Sequence, residues 1–234
     1  QQLLLANDIT HLKRLEQVRR DLVSPDSHAL RPTLTVIHGY LELLDPADVP
    51  ELAPVLTEMR AQSKRMGQIV EDLLTLSRLE TQHEVIDERV PMAALLATVR
   101  KEAAALSQGR HQISLESTAN ADLFGSPKDL HSALSNLVSN AVRYTPNGGS
   151  IAIRWRREPG GAVYSVSDTG FGIPASHLAR LTERFYRVSS SRSRESGGTG
   201  LGLSIVKHVL NLHQARLQIE SEAGAGSTFS KGGA

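Results

Sequence analysis

Hydrophobic residues fall on one helical stripe through the first third of the chain. Leu30, Leu34, Ile37, Leu41 and Leu44 alternate gaps of four and three, the spacing of a narrow seam on a helix packed against partner helices. A less regular stripe precedes it through Leu5, Ile9, Leu12, Leu15, Val18 and Leu22, as in a coiled-coil connector over residues 1–22. The segment DPADVP, Asp45 to Pro50, breaks the helix. Asp48, followed by Pro50 and Glu51, predicts the cap and first turn of a second helix. That helix carries Leu52, Val55, Leu56, Met59, Met66, Ile69, Leu73 and Leu76 at helical spacing. A hairpin with one stripe per helix has a thin core, so the pattern predicts pairing with a second copy as a dimeric four-helix bundle.

The pattern changes after Glu80, across a polar hinge at Thr81 to Glu84. Pro91 to Leu106 reads as a helix, His111 to Ser117 alternates as a strand, and Ala121 to Phe124 is a shorter one. Ser126-Pro127-Lys128-Asp129 is a helix start, with a capping serine, proline at the first helical position and an acid in the first turn. The helix is expected to run to Tyr144 and to end at Thr145-Pro146-Asn147-Gly148-Gly149. Ile151 to Arg157 and Ala162 to Ser167 read as a hairpin. Leu201 to Leu212 reads as a helix, with strands at Leu217 to Glu220 and Ser227 to Phe229. The final SKGGA lacks the apolar strand end expected after Phe229, so the chain is expected to be altered or trimmed there. Ser189 to Gly200 is rich in serine, arginine and glycine and reads as a mobile loop. Without strict βαβ alternation, this part predicts an α+β two-layer sandwich. The expected domains are residues 1–80 and 84–234.

Composition narrows the chemistry. The chain has 234 residues, 40% hydrophobic and 22% charged, with net charge +1 and no cysteine. Near-neutral charge gives no footprint for nucleic acid or an anionic membrane surface, and the lack of cysteine removes disulfides and thiolate chemistry. No apolar run approaches the roughly 20 residues of a membrane helix. Opening at Gln1 inside a helical pattern, the sequence reads as a fragment.

Three clusters follow in order. NLVSN sets Asn136 and Asn140 four residues apart on one helix face. DTGFGI sets Asp168 directly after a strand, followed by Gly170, Gly172 and Ile173. GGTGLGL runs Gly198, Thr199, Gly200, Leu201, Gly202 and Leu203 into a helix. Each alone has a bland explanation: a solvated helix face, a chain turn, a flexible helix entry. Together they hold the parts of a nucleotide site. Glycines and a helix N-terminus admit phosphates, amide oxygens suit a hard cation such as Mg²⁺, and a carboxylate accepts from an exocyclic amine. No GxxxxGK[ST] or Rossmann arrangement is present.

The motifs NLVSNAVRYTP, DTGFGI, ERFYR and GGTGLGLSIVK resemble the N, G1, F and G2 boxes of a bacterial two-component sensor histidine kinase. Its ATP-binding domain has the Bergerat fold shared with gyrase, Hsp90 and MutL. SHALRPTLTVIHGYLE resembles the H box of the same family's dimerisation domain. The resemblance implies a kinase core that phosphorylates itself from Mg-ATP at His28 and passes the phosphoryl group to an aspartate of a response regulator. It implies Mg²⁺ on Asn140 with Asn136 beside it, Arg143 near the phosphates and Tyr144 lining the adenine pocket. Asp168 would read the adenine amino group, with Gly170, Gly172 and Ile173 as the pocket wall. Gly198, Thr199, Gly200, Leu201, Gly202 and Leu203 would wrap the triphosphate. Pro174 to Gly197 would form a lid in which Phe185 is either the F-box aromatic or a lid-anchoring core residue. It also implies a homodimer, a cytoplasmic core and a full-length protein in the bacterial inner membrane.

His28 falls one residue past the seam, so it is expected to face away from the partner helices. His38 and His208 on helices and His83 in the hinge are expected at the surface. The family's H box reads His-Glu-Leu-Arg-Thr-Pro or has Asp for Glu. This chain reads His28-Ala29-Leu30-Arg31-Pro32-Thr33, so the acid is missing and Thr and Pro are exchanged. Pro25 and Pro32 predict a helix bent or unwound around His28. An ATP- and regulator-binding module with impaired kinase chemistry is the alternative.

Overall fold

The structure, a computed structural model, describes residues 31–48, 50–82, 88–159, 161–188 and 198–233. His28, Ala29, Pro25, His83, the 1–22 stripe and the 189–197 part of the serine-rich loop lie outside the described residues. The chain divides into two compact units, Gln1–Thr81 and Gln82–Ala234.

In the first unit, α1 covers residues 31–43 and α2 covers Ala53–Thr81. Pro32 is accommodated in the first described turn of α1, where Thr35 Oγ1 donates to the Arg31 carbonyl at 2.9 Å. The connection is built around Asp45 rather than Asp48. Asp45 accepts the Ala47 N–H on its side chain at 2.8 Å and the Asp48 N–H on its carbonyl at 3.1 Å. A 3₁₀ turn, Pro50–Leu52, then leads into α2. Arg60 reaches back from α2 and donates to the carbonyls of Leu41 and Leu44 at 3.0 and 2.6 Å. These are among the acceptors that the end of a helix leaves without intrahelical partners. Leu41, Leu56 and Val70 are buried, while Ile37, Tyr40, Leu43, Val55, Met59 and Met66 are exposed. His38 is partly exposed, its Nε2 3.8 Å from the Glu42 carboxylate. His208 is half-buried.

The second unit is a two-layer sandwich. Its strands are β1 (Glu88–Val90), β2 (Gln112–Ser117), β3 (Leu123–Gly125), β4 (Ser150–Glu158), β5 (Gly161–Asp168), β6 (Ala215–Glu222) and β7 (Gly226–Gly233). Its helices are α3 (Met92–Ser107), α4 (Pro127–Tyr144), the single turn α5 (Ala175–Leu178) and α6 (Gly202–Leu212). The main sheet runs β2-β4-β5-β7-β6, antiparallel except for the parallel β2–β4 pair, and β1 and β3 form a separate antiparallel ribbon. Helix α4 packs between α3 and α6, and the three helices contact β2, β5 and β6. Leu130, Leu134 and Leu137 of α4, Ile205 and Val209 of α6, and Ile151, Ile153 and Trp155 of β4 are buried between the layers. Each such side chain contributes about 1.5–3 kcal/mol by leaving water.

Local signals are realised as written. Ser126 caps α4 by accepting the Asp129 N–H at 3.3 Å, with Pro127 opening the helix. At the same helix start, His213 Nε2 accepts the Ser126 N–H at 3.2 Å and ties the end of α6 to the start of α4. The last strand is longer than the Ser227 to Phe229 expected. β7 continues past Phe229 to Gly233, with Gly232 opposite Val163 of β5 and Arg216 of β6. A strand held on both sides by backbone hydrogen bonds needs no apolar side chains of its own to continue.

Candidate nucleotide site

Helix α4 brings the asparagines to the site. Its buried face, Leu130, Leu134, Leu137, Val138 and Ala141, is pinned in the layer, so Asn136, Asn140 and Arg143 are fixed, half-buried, on another side. Asn136 Nδ2 donates to the Ser132 carbonyl at 2.9 Å. That bond leaves Asn136 Oδ1 facing Gly202, the first residue of α6, where a β-carbon would collide with it. Gly202 thus lets the N-terminus of α6 approach an amide oxygen.

The glycine segment before α6 gathers the cations. A methyl placed on Gly198 would lie 3.6 Å from Tyr144 Oη, 3.8 Å from an Arg143 guanidinium nitrogen and 3.9 Å from one of Arg187. Thr199 Oγ1 accepts the Leu201 N–H at 3.2 Å, and the Leu201 carbonyl accepts the Ile205 N–H and the Ser204 hydroxyl. Leu201 is fully buried and Leu203 half-buried. Two guanidiniums, a helix N-terminus and close-approach glycines form an anion-binding corner. Arg187 was missed in the sequence reading, although ERFYR sets it two residues after Phe185. Tyr144 sends its hydroxyl to this corner, while its carbonyl accepts the Phe171 N–H at 3.2 Å.

The third part is the loop after β5. The Asp168 carboxylate is buried and accepts the Gly170 N–H at 2.9 Å, with a further backbone bond from Ser227. Burial raises its pKa above the ordinary aspartate value, and the two N–H bonds oppose that rise. Gly170 sits against the Tyr144 carbonyl. Gly172 has φ +63, and a β-carbon there would strike the Glu222 carbonyl, so both conformation and space require glycine. The Ile173 N–H donates to Ser221 Oγ at 2.8 Å.

Phe185 is not a core residue. It is 56% exposed, adopts φ +61, and its N–H donates to the Gly200 carbonyl at 2.9 Å. Beside it, Arg180 lies 4.3 Å over the Tyr186 ring and pairs with Glu183, and the Tyr186 hydroxyl meets His177 Nδ1. Asn136, Arg143, Tyr144, Asp168, Gly170, Gly172 and the 198–203 segment are therefore gathered at one edge of the sandwich. Among the described residues no group of three His, Cys, Asp or Glu is placed to hold a metal. A cation here would depend on amide oxygens, phosphates and water, a donor set that suits Mg²⁺.

Comparisons with known proteins follow this division. The family described as histidine kinase-, DNA gyrase B- and HSP90-like ATPase matches residues 125–231, and the His Kinase A (phospho-acceptor) domain matches residues 18–82. The phosphate regulon sensor protein PhoR of Pseudomonas aeruginosa is 53% identical over 232 residues, covering 97% of this chain and 52% of that protein. The sensor-like histidine kinase SenX3 of Mycolicibacterium smegmatis is 35% identical, covering 95% of this chain and 59% of that protein. The chain thus spans about half the length of the curated relatives it matches. Full-length ShkA, solved in complex with AMPPNP, superposes with a TM-score of 0.73 at 24% identity, over 90% of this chain and 45% of that one. It shares the fold. No helix among the described residues is long and apolar enough to cross a membrane.

Proposed function

We propose, for a chain that belongs to the bacterial two-component sensor histidine kinases and spans their catalytic core, that it phosphorylates itself at His28 and hands the phosphoryl group to a response regulator. The observation that carries this is the convergence on one edge of an acceptor carboxylate, Asp168, with an anion corner of Arg143, Gly198 and the α6 N-terminus. That is one acceptor for a base amine and one cradle for phosphates. Asn140 and Asn136 would hold Mg²⁺ through their amide oxygens, the latter oriented by its bond to Ser132. Bound there, the ion would neutralise charge on the phosphate oxygens. Arg143 and Arg187 would bind the phosphates, Asp168 the adenine amine, and Gly172 and Ile173 the wall behind the base. A neutral ring nitrogen of His28 attacks the γ-phosphorus. The N–P bond forms as the bond to the ADP oxygen breaks, and ADP leaves. The phosphoryl group then moves to an aspartate of the regulator.

Incubation with γ-labelled ATP is expected to give acid-labile, base-stable label on the wild type and none on His28→Ala. Equal labelling of both overturns the reading. The exposed apolar stripes of α1 and α2 support a homodimer through the hairpin. The same reading sets this core on the cytoplasmic side of an inner-membrane protein. Identity of 53% to a phosphate regulon sensor supports a role for the longer protein in the response to phosphate.

A second reading rests on Ala29 and Pro32, which stand where the family's H box has an acid and a threonine. Here the chain holds ATP and regulator but reacts slowly, since general-base help is worth about 10²- to 10⁴-fold. Restoring Ala29→Glu with the Thr-Pro order separates the two: a large gain in labelling favours the second, and no gain favours the first.

A further inference from the structure

One hydroxyl near the site is saturated by three partners and has no place in the roles above. Ser221, at the end of β6, accepts the Ile173 N–H at 2.8 Å, donates to the Gly226 carbonyl at 2.9 Å and meets Ser227 Oγ at 2.8 Å. A serine hydroxyl has one proton and two lone pairs. With its proton on Gly226, Ser221 has only a lone pair for Ser227, so the Ser227 hydroxyl proton is drawn onto Ser221. Ser227 keeps lone pairs for anything else that approaches. It is paired with Asp168 across β5 and β7, both side chains are buried, and directly paired residues share a face of the sheet. The corner therefore offers two neighbouring acceptors, a carboxylate and a hydroxyl oxygen. The loop beside it is seated on the same hairpin: Gly224 N–H donates to the Phe171 carbonyl at 2.8 Å, and Gly172 abuts Glu222.

We propose that Ser221 is a positioning residue that sets a preference for purines bearing a 6-amino group, by turning the Ser227 proton away from the base and holding Ile173 in place. The inference rests on the nucleotide-site reading above. A 6-amino group donates to the acceptor pair. A 6-oxo group presents an acceptor to acceptors and leaves them unsatisfied, which is how a hydrogen-bonding site rejects a near-isostere. Removing the Ser221 oxygen frees the Ser227 hydroxyl to rotate and donate to a 6-oxo group, and leaves the Ile173 N–H without its acceptor.

The test is equilibrium binding of ATP and of inosine triphosphate, each with Mg²⁺, to the wild-type chain and to Ser221→Ala, Ser221→Thr and Ser221→Cys. In Ser221→Ala, ATP is expected to weaken about tenfold while inosine triphosphate changes less, so the preference shrinks several-fold. Ser221→Thr keeps the hydroxyl and is expected to keep the preference. Ser221→Cys, near-isosteric with a poorer acceptor, is expected to fall between, and it carries the test should the alanine variant not fold. An unchanged preference in Ser221→Ala or Ser221→Cys, or equal loss for both nucleotides, overturns the inference alone. A wild type that binds neither nucleotide overturns the nucleotide-site reading and this inference with it.

Discussion

The two units bury their large side chains to different degrees. In the sandwich, Leu130 is 0% exposed, and Leu134, Leu137, Ile205 and Val209 are as deeply enclosed. In the hairpin, Leu43 is 81% exposed, and Tyr40, Val55 and Met59 are open on the same two helices. A sheet with one helix layer closes a core within one chain. Two helices side by side cover one stripe each and leave their remaining apolar surface for something else. The sandwich is expected to be stable by itself, the hairpin only as far as it is partnered. The largest test is a pair of truncations. Leu134→Ala is expected to destabilise the sandwich by about 2–5 kcal/mol in urea unfolding at any protein concentration, and Leu43→Ala to leave the sandwich transition unchanged, its cost falling on the hairpin. Hairpin unfolding is expected to depend on protein concentration and sandwich unfolding is not. Equal costs of the two truncations to the sandwich transition would erase the distinction.

The difference also separates sites held by a core from sites held by a surface. Asp168 stands at the end of a central strand, and its burial disfavours the carboxylate. Its folded pKa is raised above the unfolded value, so the sandwich binds more protons than the unfolded chain between those two values. The stability that Asp168 contributes is thus complete below the unfolded pKa and is lost as pH rises through the folded one. ATP binding is expected to run the other way, improving as the acceptor ionises. Asp168→Asn is expected to remove this part of the pH dependence of stability while weakening ATP at least about tenfold. A variant that binds ATP as the wild type does would detach Asp168 from the base.

The sequence shows best what neighbours in the chain decide. The Ser126 cap, Pro127 and the leucines of α4 lie within a few turns of each other, and that helix runs from Pro127 to Tyr144. The hairpin of β4 and β5 is equally local. The ribbon strand Glu88–Val90 was missed because three residues carry no period, and it exists only by pairing with Leu123–Gly125. The parallel β2–β4 pair joins segments separated by all of α4. At the site, the glycine and asparagine boxes were legible as motifs. Arg187, Ser221 and Ser227 were not, because their roles come from the loops that folding lays against them. The same holds in the hairpin: Arg60 looks like any surface cation until α1 ends beneath it.

Arg60 gives a smaller test on the hairpin side. Its guanidinium satisfies two carbonyls at the end of α1, which water can partly replace because the turn is exposed. Arg60→Ala is expected to lower hairpin stability by about 1 kcal/mol, with Arg60→Lys recovering part of it, since one ammonium cannot match the planar fork. No loss in the alanine variant would show that the connection closes on the Asp45 turn alone.

The smallest effect is expected in the sandwich, at a core tyrosine that carries a polar atom without a use. Tyr164 is 1% exposed, and its hydroxyl, alone among those of the described tyrosines, is buried with no hydrogen-bond partner. Burial pushes its pKa far above the ordinary tyrosine value. An unmade hydrogen bond costs more than an absent hydroxyl, because the group gave up water and received nothing. Tyr164→Phe keeps the ring and its packing, and is expected to change stability by between zero and about 1 kcal/mol, in the stabilising direction. The sign of its pH dependence follows from the raised pKa. Wild-type stability is expected to fall as pH rises above about 10, where an unfolded tyrosine ionises and the buried one does not, and the phenylalanine variant is expected to lose that part of the fall. A destabilising substitution would mean that the hydroxyl is satisfied inside the core, and that the sandwich is wetter than its apolar lining indicates.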